Sequence, residues 1–250
     1  MRFDELDAQM RALETQNEPR VPAGYLIARL DGRGFTRLTK AFLTLEKPFD
    51  IRFHDAMSAT LAHLFDCGFS FRFGYSQSDE ISLFFEPDGV PFQRKTRKIL
   101  SLLAGEASAR FSLSLNALGV FDCRLSVLPD ENSVIDYFRW RQMDAARNAL
   151  SAHCYWISRR QDLSARDATR RWDGASQAQK RQFLAENGLN FDALPLWQTR
   201  GFAARYEIFE KEATNLKTGE SVTAQRKRLH FKRELPFGNE FAVYLRKLTL

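Results

Sequence analysis

The sequence predicts an α+β protein with a β-α-β-β-α-β core, on three observations. An apolar run, Tyr25 to Leu30, stops at Asp31-Gly32; a helical repeat of apolar residues begins at Phe53; and Phe69, Phe71, Phe73 and Tyr75 alternate before a further run, "EISLFF". The chain has 250 residues, of which 44% are hydrophobic. That is enough for a real core, in one large domain or in a core domain with an appendage.

Each element follows in order. Residues 3 to 16 read as a polar amphipathic helix, broken by "NEPRVPAG", and Tyr25 to Leu30 as the first strand. A loop, "DGRGFTRL", leads through "EKPFD" to Asp50, which stands before "IRFHDAMSATLAHLFDCG". There Phe53, Met57, Leu61, Leu64 and Phe65 recur at helical spacing, and Gly68 suits a C-cap. The aromatic alternation and "EISLFF" form a hairpin across Gln77-Ser78-Asp79. A helix from about Phe92 to Asn116 and an alternating segment from Phe121 to Leu128 complete the split βαβ order called ferredoxin-like.

Beyond Pro129 the character changes, so the expected units are 1–129 and 130–250. "VIDYFRWRQMDAARNALSAHCYWISR" reads as a long helix, and 163–200 as charged helical pieces separated by Gly174, Gly188 and Pro195. Strand-like runs at 202–211 and 222–233 close the chain, with no internal repeat.

Thirty-seven Lys and Arg against 31 Asp and Glu give a formal charge of +6 and a pI near 9.3. Such a surface favours polyanions, so nucleic acid or nucleotide is the expected partner. Cys67, Cys123 and Cys154 fit neither a disulfide framework nor a C-x-x-C metal site, which suits a cytoplasmic location. The charged N-terminus and the lack of any apolar run of roughly 20 residues point to no targeting segment or membrane span.

In a split βαβ fold the first two strands are parallel, with the third between them and antiparallel to both. Asp31 at the end of strand one and Asp79 in the hairpin after strand two would then share one sheet edge. Converging carboxylates repel unless one is protonated or a cation sits between them, and Mg²⁺ is the expected cation. Two such ions suit nucleotidyl transfer. Gly32 and Gly34 allow backbone amides close to phosphate oxygens, while Arg33, Arg37 and Lys40 offset triphosphate charge. The spacing is not that of a Walker A loop.

Other features have two readings. "QRKTRK", Gln93 to Lys98, places four cations at a helix start against the dipole, which suggests an anionic ligand or merely a solvated face. "QRKRLHFKR" puts Arg226, Arg228 and Lys232 on one cationic strand face, for RNA contact or for protection of an edge. The four histidines lack ligand spacing and are assigned no chemistry. Trp140, Trp156, Trp172 and Trp197 could stack on bases, but helix packing is the preferred reading.

"RLDGRGF" (Arg29 to Phe35) and "GYSQSDEISLFF" (Gly74 to Phe85), joined by "EKPFD" and followed by "WRQMDAARN", resemble the tRNA(His) guanylyltransferase family and its 3′-to-5′ polymerase relatives. The resemblance implies a polymerase-palm core and a two-Mg²⁺ enzyme that adds a nucleotide to a tRNA 5′ end. ATP or GTP would activate the 5′-monophosphate, the 3′-hydroxyl of GTP would attack, and pyrophosphate would leave the new end. Position by position, Asp31 and Asp79 match the metal carboxylates, Gly32 adds a carbonyl ligand, and Glu80 matches the acidic neighbour in the catalytic set. Arg33, Gly34 and Phe35 match the triphosphate loop, and Lys47, Ser78 and Lys98 match phosphate-contacting positions. Thr36 stands where a histidine is usual, and Ala146 to Ala152 keeps only Asn148 and Leu150 of the H-I-N-N-L-Y-N segment. Templated tRNA 5′-end repair is therefore as good an expectation as tRNA(His) guanylylation. The family implies a homotetramer. The alternatives are a nucleotide cyclase or signalling nucleotide synthase on a similar palm, and a non-catalytic RNA-binding module.

Overall fold

The computed structural model describes residues 2–13, 19–214 and 221–249. The chain folds as α1 (Phe3–Leu13), β1 (Tyr25–Arg33), a short α2 (Phe35–Arg37), α3 (Ile51–Asp66), the hairpin β2 (Phe71–Gln77) and β3 (Glu80–Phe85), α4 (Thr96–Leu115) and β4 (Val120–Leu128). The 30-residue α5 (Glu131–Arg160) follows, then α6 (Ala165–Trp172), α7 (Gln177–Glu186), α8 (Leu196–Arg200), β5 (Phe202–Thr214), β6 (Ser221–Lys232) and α9 (Asn239–Thr249). Residues 14–16 of the expected first helix lie outside the described residues.

The strands form one antiparallel sheet in the order β4-β1-β3-β2-β5-β6. β3 lies between β1 and β2 and is antiparallel to both. Helices cover both faces. Leu30, Ile81 and Leu83 meet α3 and α4 through Leu61, Leu64, Leu103 and Phe111. Ile27, Phe73 and Phe84 meet α5 and α9 through Val134, Phe138, Phe241 and Leu245. Each such fully buried side chain contributes roughly 1.5–3 kcal/mol. A third cluster joins the end of α5 to α7 through Leu150, Ile157, Phe183 and Leu184.

Helix starts follow from their caps: Asp50 accepts from the Arg52 amide at 2.8 Å, and Asp130 from the Ser133 amide at 2.7 Å. The α4 start differs from expectation. Phe92, Gln93 and Arg94 have φ between 53° and 61° and form a separate 3₁₀ turn, so the α-helix opens only at Thr96. The Arg94 side chain is spent on the Val21 carbonyl at 2.9 Å and on that of Pro22. Fewer cations therefore oppose the helix dipole than the continuous helix implied.

β5 runs to Thr214, past the expected end at 211, while β6 (Ser221–Lys232) keeps its expected length one residue earlier. β5 pairs with β2 only through Phe202 to Ala204, whereas its ladder with β6 runs from Ala203↔Lys232 to Thr214↔Ser221. The outer part of this ribbon thus continues past the sheet, with β6 as its ladder partner. No described helix is long and apolar enough to cross a membrane.

Candidate active site

β1 runs past the expected end at Leu30 to Arg33 and carries Asp31 two residues before its end, and the turn between β2 and β3 delivers Asp79. Two backbone relations hold them side by side. Asp31 stands opposite Glu80 in the β1–β3 register, and the Gly32 amide donates to the Asp79 carbonyl at 3.1 Å. The Ser78 hydroxyl donates to Asp79 Oδ1 at 3.1 Å from a backbone with φ of 50°. Burial pushes the Asp79 carboxyl up in pKa, its hydrogen bonds oppose this, and the charge of Asp31 raises it further. Two carboxylates that feel each other across one strand boundary are the expected convergence.

Glycine is required at the start of the loop: a Cβ on Gly32 would lie 2.6 Å from the Phe35 ring. Gly34 has φ of 73° and starts α2. Phe35 is buried among Phe53, Phe111 and Phe121, so it anchors the loop in the core. Arg33 and Thr36 are exposed.

Beside Asp79 opens a cavity of about 310 Å³. Thr36, Lys40, Lys47, Ser78, Asp79, Trp156 and Trp197 line it, with buried His54 and Asp50. The Lys47 ammonium donates to the Thr39 carbonyl at 2.6 Å, and burial lowers its pKa. Lys40 and Lys47 stand 5.7 and 5.9 Å from the Trp156 ring centre. Arg52 holds the Asp50 carboxyl well below the usual range, chiefly through its side-chain hydrogen bond, with the Glu46 amide helping. Burial lowers the pKa of the His54 ring, against the hydrogen bond with Asp55. The wall is aromatic, the mouth cationic, and one acidic edge reaches the strand tips.

Glu80 has a different setting. It is 5% exposed, and Arg141 of α5 clamps it through Nε to Oε1 at 2.7 Å and Nη2 to Oε2 at 2.5 Å. Arg141 also reaches Asp144 at 3.1 Å, and Asn148 donates to Asp144 at 3.2 Å. Both Glu80 oxygens are therefore engaged, so the residue that the resemblance puts in the catalytic set is tied to α5 through Arg141.

Of the remaining expected site residues, Asn148 is exposed on α5 between Arg141 and the cavity residue Ala152. Lys98 lies elsewhere. The α4 start is tied to Pro19 and Arg20, ahead of β1, through the Thr96 amide to the Pro19 carbonyl at 2.9 Å and an Arg20↔Lys95 bridge. Lys98 does not line the cavity beside Asp79. Arg226, Arg228 and Lys232 are on the ribbon, where Arg228 approaches Glu207 at 3.9 Å and Lys232 stands over Tyr244.

Sequence reasoning missed Arg141, for which a mid-helix arginine carries no signal until the partner strand is known. It also set aside His54, and Trp156 and Trp197 as packing residues. Trp172 does pack as expected, on Phe183 with centroids 4.5 Å apart. Asp31, Asp79 and the Gly32 carbonyl offer hard oxygen donors, and the repulsion that Asp79 feels from Asp31 is what a divalent cation cancels, so these residues fit Mg²⁺. Among the described residues no three His, Cys, Asp or Glu side chains form a metal cluster. Phosphate and backbone oxygens would therefore have to complete the ligand set.

A pair of carboxylates near adjacent strand ends, one of them lining a cationic and aromatic cavity, suits a nucleotidyltransferase. Comparison gives the family. The tRNAHis guanylyltransferase family model matches residues 7–129 and the Thg1 C-terminal domain model residues 132–237, so the chain belongs to the tRNA(His) guanylyltransferase family. It is 27% identical to a probable tRNA(His) guanylyltransferase of Drosophila melanogaster, over 74% of this chain and 68% of that one. It is 28% identical to the tRNA(His) guanylyltransferase of Debaryomyces hansenii, over 69% of each. A bacterial tRNA(His) guanylyltransferase-like protein in complex with GTP superimposes with a TM-score of 0.71 at 27% identity, covering 98% of this chain and 99% of that chain. A further such structure, in complex with ATP, shares the fold with a TM-score of 0.77 at 24% identity and the same coverage.

Proposed function

We propose that this protein adds a nucleotide, GMP from GTP, to the 5′ end of a tRNA in the 3′-to-5′ direction, after ATP or GTP has activated the 5′-monophosphate. The observation that carries the reading is the Gly32–Asp79 backbone bond, which sets both carboxylates beside a cavity suited to one nucleoside. The GTP bound by a relative of 27% identity supports it. The strand order β4-β1-β3-β2 supports a ferredoxin-like, palm-type core.

Asp31, Asp79 and the Gly32 carbonyl would hold Mg²⁺, two ions in all. Bound there, such ions supply charge neutralisation of phosphates and acidify the attacking hydroxyl. The chain's own residues do the positioning. Lys47 and the Ser78 hydroxyl bind phosphate oxygens, the backbone around Gly32 and Gly34 approaches them closely, and Trp156 walls the base. Glu80 holds the strand tip through Arg141. Arg226, Arg228 and Lys232 would follow the RNA backbone away from the reaction centre.

The test is a 5′-monophosphorylated tRNA lacking its first nucleotide, incubated with ATP, labelled GTP and Mg²⁺. Extension by the wild-type protein and its loss in Asp79→Ala are expected. Failure of the wild type to extend, or a product formed from GTP alone without RNA, overturns the reading. A tetramer is the proposed assembly, measured by light scattering. The cytoplasm is the proposed location, supported by free thiols at Cys67, Cys123 and Cys154.

A further inference from the structure

We propose that Trp140 is a stacking platform for an unpaired base at the end of the RNA substrate, on the side of the carboxylates away from the nucleotide cavity. This rests on the transferase reading above and adds the place where the second substrate sits.

Trp140 is 54% exposed on the long α5 helix, against the helix packing expected for it. An indole left in water forfeits most of its burial, so what holds it matters. The Arg141 guanidinium lies 4.4 Å from the ring centre, Arg29 lies 5.8 Å away, and Tyr137 meets it edge-on at 5.8 Å. Arg141 is itself only 5% exposed. Guanidinium thus covers part of the ring, while just over half of the residue stays in water. A rigid aromatic face floored by guanidinium is a surface on which any base can stack.

The surroundings suit a polyanion. Arg29 and Arg124 stand opposite each other in the β1–β4 register, and Arg33 is exposed at the end of β1. The anions on this side are Asp31 and Asp122, which share Arg124 at 3.9 and 3.5 Å, and Asp136 and Asp144, which pair with Arg139 and Arg147. No anion here is without a cationic neighbour, and exposed guanidinium remains.

Position completes the argument. Asp79 lines the cavity and Asp31 does not. Trp140 covers Arg141, Arg141 clamps Glu80, and Glu80 is the register partner of Asp31. The carboxylates thus stand between two compartments, and a cavity of about 310 Å³ is at the small end for a single ligand. The RNA end must reach the carboxylates by another route, and single-stranded ends present splayed bases that stack on aromatic rings.

The experiment measures the Kd of the full chain for 5′-monophosphorylated tRNA and for a non-hydrolysable GTP analogue across a salt series. Trp140→Ala is expected to raise the tRNA Kd about 5- to 100-fold, leaving the analogue Kd and the salt slope unchanged because no phosphate contact is lost. Trp140→Tyr should recover most of the affinity. Arg124→Gln should instead lower the salt slope by about one. An unchanged tRNA Kd in Trp140→Ala overturns the proposal, as does an equal loss for the GTP analogue. So does a loss that tracks a change in oligomeric mass, which would show that the indole faces a second copy of the chain. Wild-type protein that binds tRNA without extending it counts against the transferase reading alone.

Discussion

The two faces of the sheet meet at the strand tips, and they treat neighbouring carboxylates in opposite ways. On the α5 face, Glu80 is closed in by a bidentate arginine, which also donates to Asp144. On the α3 face, Asp79 is desolvated, lies near Asp31 and has a serine hydroxyl as its side-chain partner. One carboxylate is neutralised within the protein and the other is left for something that arrives. The difference teaches that burial alone does not mark a working group; the uncompensated charge does.

The comparison breaks most severely if the closed side is opened. Arg141→Met strips buried Glu80 of its bidentate partner, leaving only Arg29 at 3.9 Å, and should cost about 3–5 kcal/mol of unfolding free energy, read by denaturant titration. Glu80→Leu combined with Arg141→Met should restore much of it. Emptying the other side comes next. Asp79→Asn should lower kcat by about 10²–10³, the scale for removing one preorganised electrostatic group. The metal-free protein should nonetheless melt no lower than wild type. The sign follows from the raised pKa: the folded state holds the Asp79 proton more tightly than the unfolded state does. Stability therefore falls as pH rises from the unfolded value through the folded one, and removing the charge removes that penalty.

A sharper contrast comes from Asp50, a compensated carboxylate on the cavity side. Asp50→Ala should cost about 0.5–2 kcal/mol as a lost cap. Its pKa is lowered, so the stabilisation is full above the ordinary value of 3.8 and fades as pH falls toward the lower folded pKa. Melting curves from pH 7 to pH 2 check this, with the gap between variant and wild type closing in acid. The smallest effect belongs to the exposed ribbon. Arg226→Gln should move stability by less than about 0.5 kcal/mol and reduce the salt slope of tRNA binding by about one.

Much of this end of the molecule was legible because the sequence writes it locally. Asp31 follows an apolar run and Asp79 sits in a hairpin turn, and strand ends are where such patterns change. Asp50 was readable as the residue before a helical repeat. The α4 start was not, because three consecutive residues with positive φ carry no glycine to announce them. The Arg141–Glu80 pair spans 61 residues and joins a helix to a strand, so only the packing reveals it. Trp140 and Trp156 have the same helical context in the sequence, and what separates platform from cavity wall is which neighbour each helix turn faces. Lys98 matched a motif in one dimension, and in three it does not line the cavity beside Asp79.

The ribbon of β5 and β6 has a further consequence. Past Ala204 its ladder no longer touches β2, so nothing in the sheet fixes how far it extends. Side chains on a strand alternate with a period of two. An arm of this construction can therefore grow or shrink by a pair of residues in each strand without turning any remaining side chain over. Its reach along a bulky polynucleotide is adjustable while the chemistry at the strand tips stays untouched.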